Sequence, residues 1–428
     1  MFRPQHGAGA ARAMLALLLV SGLASGRKPP PRENVFTGQA KPTTTTIPTV
    51  SPPPAQLPPE PPPPSEAFSK ANLLRASADC ALRHVKDFEA KAQALKVAAR
   101  AHVADASPAQ SAQTKDAWRE AAASFQLLEL HRLGPLARAA EPGGKGLRDE
   151  LSAWPLVNRC MVDEQLVATS YLAPTFSTSV VSARGVGVVE YLLFAAGTGN
   201  ACTSVSTINA SGSWAALSPS ILAGRRIAYA AASADVIAER ALELLAAWDP
   251  ARGNFHRELS LAGNGSAVYA REQDGLNAIS NALFYLDVEV KDLKVGRPVG
   301  LVDCFTATCP EALEAPYARA SLSHLRQNLL GFRKVFQGCA DDGSGFGFDD
   351  WLRAAGAGGV ADRMFVALAT AEATAASLEP SMEDVLGADA KRVVQLHTDI
   401  KALTDLLKTE FVTVLNLELP KSSEGDND

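Results

Sequence analysis

From Glu66 onward, apolar residues return every three or four positions, and that spacing leaves little room for anything but helix. The last run is the clearest: Val393, Leu396, Ile400, Leu403, Leu407, Phe411 and Val414 fall on one stripe. Leu276, Ile279, Leu283, Leu286 and Val290 make the same seam on another helix. Such stripes are stable when packed against other helices. Ser218 and Pro219 form an N-cap and first-turn pair that opens a third helix. Its apolar face carries Ile237, Ala241, Leu244, Leu245 and Trp248, and Asp249-Pro250 ends it. Further helices are predicted near 67–104, 110–139, 160–173, 182–196, 315–337, 360–379 and 388–416. The chain is rich in Ala and Leu, which lose least on entering a helix, and it has no alternating β-branched runs of strand length. The expected fold is all-α, with two helical-bundle domains over 67–212 and 213–428 that meet near the Gly/Ser/Thr/Asn stretch 197–212.

The N-terminus reads differently. Arg3 and Arg12 precede the apolar run Met14–Val20 and then small residues to Gly26, the order of a secretory signal peptide over 1–26. The run is too short to span a bilayer, and no Cys stands at the cleavage position to take a lipid. Residues 27–66 are dominated by Pro and Thr and are expected to form a disordered, extended spacer. These features predict a periplasmic, cell-surface or secreted protein with no transmembrane helix in the mature chain. Six cysteines, Cys80, Cys160, Cys202, Cys304, Cys309 and Cys339, point to disulfides in that setting. Cys304 and Cys309 are close enough to close a small ring. They could also act as a thiol pair on a metal, but no second such pair accompanies them. The formal net charge of −5, with no basic patch, argues against nucleic acid as a partner.

The strong catalytic signatures are absent: there is no HExxH, Walker A loop, GxGxxG or GxSxG elbow. The seven histidines are scattered, and none is expected to pair with another histidine or with a cysteine at metal-ligand spacing. The acidic loop Asp341–Asp350 invites a calcium reading, but Leu352 would stand where an EF-hand needs Glu, so a solvated turn capping a helix near Trp351 is preferred. Trp118, Trp154 and Trp248 are expected in packing, and His131 at a helix end.

The segment Arg184-Gly-Val-Gly-Val-Val-Glu-Tyr-Leu-Leu-Phe194 resembles the signature of the imelysin-like family, a GxHxxE motif on a helix followed by a Tyr-Leu-Leu-Phe-like run. Other blocks agree in order. They are Trp118-Arg119 through Glu129 and Gly134-Pro135, Ser152–Pro155 with Cys160–Asp163, Asp292–Leu301, and Ser323-His324 through Gly338. The resemblance runs over about 70–415 and implies two helical bundles, an association with iron acquisition and, by the family's alternative name, peptidase activity. Gly187 stands where the motif has its His, so a His–Glu pair on one helix face cannot form. A lone carboxylate is a weak transition-metal ligand, and a zinc hydrolase needs about three protein ligands, so peptidase activity is not carried over.

The candidate ligand-binding residues are Glu190, Arg184, Glu129 and Asp163, with Glu190 the one candidate metal ligand. Two readings stay open. Glu190 either centres a polar site for a small polar ligand or for a divalent or ferric metal ion, or it pairs with Arg184 to fix helix packing. The expected function is a non-proteolytic binding or accessory protein linked to metal uptake, whose partner is such a ligand or another envelope protein. The alternatives are a metal-dependent peptidase that recruits His131 or His324, and a structural helical scaffold.

Overall fold

The computed structural model describes residues 67–421 and 423, so the expected signal peptide (1–26) and the spacer (27–66) lie outside the described residues. Among the described residues there is no strand, only an isolated bridge between Ser152 and Gly185. The chain starts with α1 (Lys70–Ala104) and α2 (Pro108–Leu128), then the short α3 (Leu147–Leu151), α4 (Arg159–Ala168), α5 (Val186–Phe194) and α6 (Thr207–Ala210). After α7 (Pro219–Trp248) come α8 (Phe255–Ser260), α9 (Glu272–Leu283) and a π-helical stretch, Leu286–Gly296. The rest is α10 (Ser321–Gln337), α11 (Phe348–Ala354), α12 (Gly358–Ser377), α13 (Met382–Ala388) and α14 (Ala390–Leu406), which continues through a π turn into α15 (Val412–Leu415).

Local chemistry sets these boundaries. The Ser69 hydroxyl accepts from the Asn72 amide at 3.1 Å and opens α1, whose buried stripe includes Leu74, Ala78, Ala81, Val85, Phe88, Ala92, Leu95 and Ala99. Ser107 caps α2 in the same way with Pro108 in its first turn, so α1 and α2 fold back on each other through a short connection. Ser218 and Asp249 bound α7 as expected. Buried Ala230, Ala231, Ala234, Ala238 and Ala241 let α7 lie close along α1, while Trp248 is fully buried at its end. Full burial of a large side chain of that kind contributes about 1.5–3 kcal/mol.

Helices α1, α2, α5 and α7 pack as one bundle, and the π-helical stretch, α10, α12 and α14 as a second, with α10 also lying against α2. Helices α8 and α9 also lie against α1, so the chain stays with the first bundle well beyond the 212/213 division expected from loop composition. A polar loop does not reveal whether the next helix returns to the same bundle. Here the Ala-rich face of α7 fits α1, and the 197–212 stretch is an irregular excursion tied down by Cys160–Cys202.

The remaining disulfides are Cys304–Cys309, the small ring, and Cys80–Cys339 between α1 and the loop after α10; no cysteine is free. The seam from Leu276 to Val290 is interrupted at Phe284-Tyr285, where the α-helix gives way to the wider π form. The widening turns Asp287, Lys291 and Lys294 inward, and all three are buried. In the acidic loop Asp350 accepts from the Gly347 amide at 3.0 Å, so it caps α11 as the solvated-turn reading expected.

Candidate functional site

Helix α5 is short and almost wholly apolar, and Glu190 is its one charged residue. Its entry is fixed by Gly185, at φ +94°, where an added Cβ would lie 2.6 Å from the Leu151 carbonyl oxygen. Only glycine fits there without displacing backbone. The Trp118 indole N–H donates to the Val186 carbonyl at 2.9 Å and holds the first turn against α2.

So placed, Glu190 is 1% exposed. Its Oε1 accepts from two backbone amides, Tyr317 at 2.7 Å and Ala318 at 2.9 Å, in the turn that precedes α10. Burial pushes its carboxyl up to about 7, against the pull of the two amides and the Arg159 guanidinium, while the Glu383 carboxylate adds to the rise. Near neutral pH this group therefore exchanges a proton readily, whereas an exposed glutamate is fully ionised.

The groups around it were not singled out in the sequence. Arg159, the first residue of α4, lies 5.2 Å over the Tyr317 ring. It has no ion pair or hydrogen bond among the described residues, and its Nε is buried without an acceptor. Glu383 accepts from the Ser321 amide through Oε1, and its Oε2 is buried without a partner. Gly187, Val157, Arg159, Tyr317 and Glu383 are all half-buried, so this side of Glu190 opens toward solvent. A Cβ at Gly187 would meet only the Val157 side chain, at 3.1 Å.

Asp163 joins this group through two tyrosines. Its carboxylate accepts from the Tyr191 hydroxyl at 2.8 Å and the Ala201 amide at 2.7 Å, and the Tyr191 ring stands 5.1 Å from Tyr317. Burial raises Asp163 above the usual carboxylate range, although Ala201, Tyr191 and Arg226 all pull the other way.

Arg184 and Glu129 are engaged in other pairs. Arg184 donates to the Glu150 carboxylate at 2.6 Å and to the Ser179 carbonyl at 3.0 Å, so the expected Glu190–Arg184 pair is not formed. Arg184 is set just before α5 by an extended residue, out of phase with the helix that carries Glu190. Glu129 takes both oxygens to the Arg148 guanidinium, at 3.1 Å each from Nε. Of the four residues read from the sequence, Glu190 and Asp163 are linked only through the Tyr191–Tyr317 ring contact, and Arg184 and Glu129 are committed to ion pairs.

Neither histidine considered as a replacement ligand pairs with Glu190. His324 contacts Glu314 at 3.1 Å inside a buried network with Lys294, Gln126 and Asn328. His131 is hydrogen-bonded to His84. Two metal-ligand groupings do occur among the described residues, Cys80 with His84 and Cys339, and Cys160 with Glu164 and Cys202. In both the cysteines are joined as disulfides. The first corrects the expectation that no histidine stands at ligand spacing from a cysteine: Cys80 and His84 are four residues apart on one face of α1. The cleft over the Arg132–Glu289 pair, of about 730 Å³, is elsewhere and is not lined by Glu190.

Two four-helix groups, with a buried carboxylate on a short helix facing the turn before α10, define an all-helical two-bundle protein with a polar site between elements of both groups. A sequence model of the imelysin family, peptidase family M75, matches residues 81–409, and the chain belongs to that family. Comparison with curated proteins finds no match. Among solved structures, an imelysin-like protein from Psychrobacter arcticus 273-4 is similar at a TM-score of 0.61 and 18% identity, covering 82% of this chain and 96% of that one. A chain described as an iron-regulated protein A precursor from Parabacteroides distasonis ATCC 8503 gives 0.60 and 16%, covering 82% and 98%. At these identities the likeness shows a shared fold.

Proposed function

We propose that this chain is an exported, non-proteolytic imelysin-family binding protein that takes a small anionic or zwitterionic ligand at Glu190, Arg159 and Tyr317, with iron uptake as its context. A ferric carboxylate chelate fits that description. The observation that carries the reading is Arg159, a half-buried guanidinium with no hydrogen bond or ion pair among the described residues, over an aromatic face and beside a proton-exchanging carboxyl. An arginine so placed matches a carboxylate in a two-pronged contact. A bare cation would meet Arg159's repulsion and would compete with two amides already on Glu190 Oε1. Export is supported by the signal-like N-terminus and three disulfides. The iron context is supported by the neighbour described as an iron-regulated protein A precursor and by the family resemblance. Against proteolysis stand Gly187 at the motif's His position and the absence of an imidazole partner on Glu190 among the described residues.

The test is calorimetric titration of the mature chain with citrate, ferric citrate, and zinc or calcium alone. Binding of citrate or its ferric complex, weakened about tenfold or more by Arg159→Gln, is the expected result. Stoichiometric binding of a bare ion, lost in Glu190→Gln and untouched by Arg159→Gln, would replace this reading with a metal site.

A further inference from the structure

Far from Glu190 in the chain, four potential ligands of a soft or borderline metal converge: Cys80 and His84 on α1, His131 in the 3-10 turn after α2, and Cys339 in the loop after α10. Cys80 Sγ lies 3.9 Å from His131 Nε2 and 4.0 Å from His84 Nδ1, while Cys339 Sγ lies 3.9 Å from His84 Nε2. The two imidazoles touch, His84 Nδ1 to His131 Nε2, at 2.8 Å. One donor atom from each of Cys80, His84 and Cys339 falls within 4.8 Å of the others.

We propose that Cys80, His84, His131 and Cys339 form a redox-gated site for a tetrahedral divalent metal of the zinc type, closed while the disulfide is intact and opened when it is reduced. The geometry can be compared with such a centre. Bonds of 2.3 Å to sulfur and 2.0–2.1 Å to nitrogen at tetrahedral angles put sulfurs about 3.8 Å apart, sulfur and nitrogen about 3.6 Å, and nitrogens about 3.3 Å. With Nδ1 as the His84 ligand, the Cys80–nitrogen distances are already within about half an ångström of those values, and the imidazoles must part by about as much. Cys339, which lies against His84 Nε2, must move round to the Nδ1 side. The large change is between the sulfurs, which must part from a covalent bond to about 3.8 Å. Cys339 can supply it, since it is half-buried at the head of the glycine-rich stretch 338–347, whereas Cys80 is fixed on a buried helix face.

Arg83 and Lys334 donate to the Cys339 carbonyl at 3.4 and 3.1 Å, so a thiolate released there is born beside two cations. The step balances with a dithiol reductant of the thioredoxin type. Its thiolate attacks the accessible Cys339 sulfur, the protein S–S bond breaks, and the reductant closes to its own disulfide. The two electrons and two protons pass to Cys80 and Cys339. Metal binding then releases the two thiol protons.

The test uses cobalt(II) as a spectroscopic stand-in for zinc on the mature chain, oxidised and after anaerobic reduction and desalting, with helical circular dichroism followed in parallel. The expected result is thiolate-to-cobalt charge transfer and tetrahedral ligand-field bands at one ion per chain, only in the reduced protein. The bands should vanish in Cys80→Ser/Cys339→Ser, and affinity should fall at least tenfold in His84→Gln and in His131→Gln. Four outcomes overturn the proposal. The reduced chain binds no cobalt, or it binds equally well in both histidine variants. Binding survives in Cys80→Ser/Cys339→Ser, which would assign it to Cys160, Glu164 and Cys202. Or reduction removes the helical signal and metal does not restore it.

Discussion

Replacing Glu190 with glutamine isolates the free energy stored in one buried proton. Burial raises the folded carboxyl from its ordinary 4.5 to about 7, so between those values the folded chain holds a proton that the unfolded chain has released. Stability from this group is therefore fully present below pH 4.5 and is lost as pH rises through 7. At about 1.4 kcal/mol for each pH unit the total comes to about 3 kcal/mol. Glutamine keeps an oxygen for the Tyr317 and Ala318 amides and has no proton to lose. Urea unfolding of the mature chain and of Glu190→Gln, followed by circular dichroism from pH 4.5 to 8, measures the effect. The unfolding free energy of the variant minus that of the parent should climb by about 3 kcal/mol across the range. The difference is the informative quantity, because Asp349, raised to about 8 by burial and by Asp350, tilts both curves alike. A difference that stays flat would mean Glu190 is ionised in the folded state throughout, and the proton-exchange argument for the site would fall.

Two further substitutions probe the same region. Gly187→His should fold, because a Cβ there meets only the Val157 side chain, at 3.1 Å, which has to give by no more than a few tenths of an ångström. It supplies two protein ligands at most, beside the Arg159 charge, so titration should show no more than weak zinc binding, lost when Glu190→Gln is added; tight stoichiometric binding would refute the anion-site reading. Arg148→Met, which strands the buried Glu129 carboxylate, should cost about 3–5 kcal/mol in urea unfolding, while Arg148→Met/Glu129→Gln should cost less than the single change.

What the sequence revealed depended on the range over which each signal acts. Helix seams and caps are local, so Ser218 marks its helix correctly and the stripe from Val393 is buried through Phe411; after the π turn the buried face passes to Leu415, and Val414, expected on the stripe, is exposed. The break at Phe284-Tyr285 was hidden, because a π-helix keeps an apolar seam while rotating Lys291 and Lys294 inward. Glu190 was legible as a charge stranded in an apolar helix. Its partners were not, since Arg159, Tyr317 and Glu383 come from three other segments and each looks ordinary in its own context. Arg159 reads as a first-turn residue after the Asn158 cap, and Tyr317 as part of a loop. Arg184, by contrast, was drawn to Glu190 by nearness in sequence, although it precedes the helix and therefore turns toward Glu150.

The Cys80–His84 spacing shows the opposite case, a local signal present in the sequence but hidden behind the disulfide reading of Cys80. Both chemistries use the same sulfurs, and the loop holding Cys339 decides between them. With the S–S bond closed, Cys339 is committed and His84 rests against it; with the bond open, that loop must carry Cys339 away from Cys80 for four ligands to surround one ion. A helix face fixes Cys80 and His84, and the turn after α2 fixes His131, so three of the four ligands are held in place whichever state the sulfurs are in. In the oxidised chain three ligands therefore need only a small adjustment, the imidazoles parting slightly, and the freedom of the loop holding the fourth is what the cobalt titration measures.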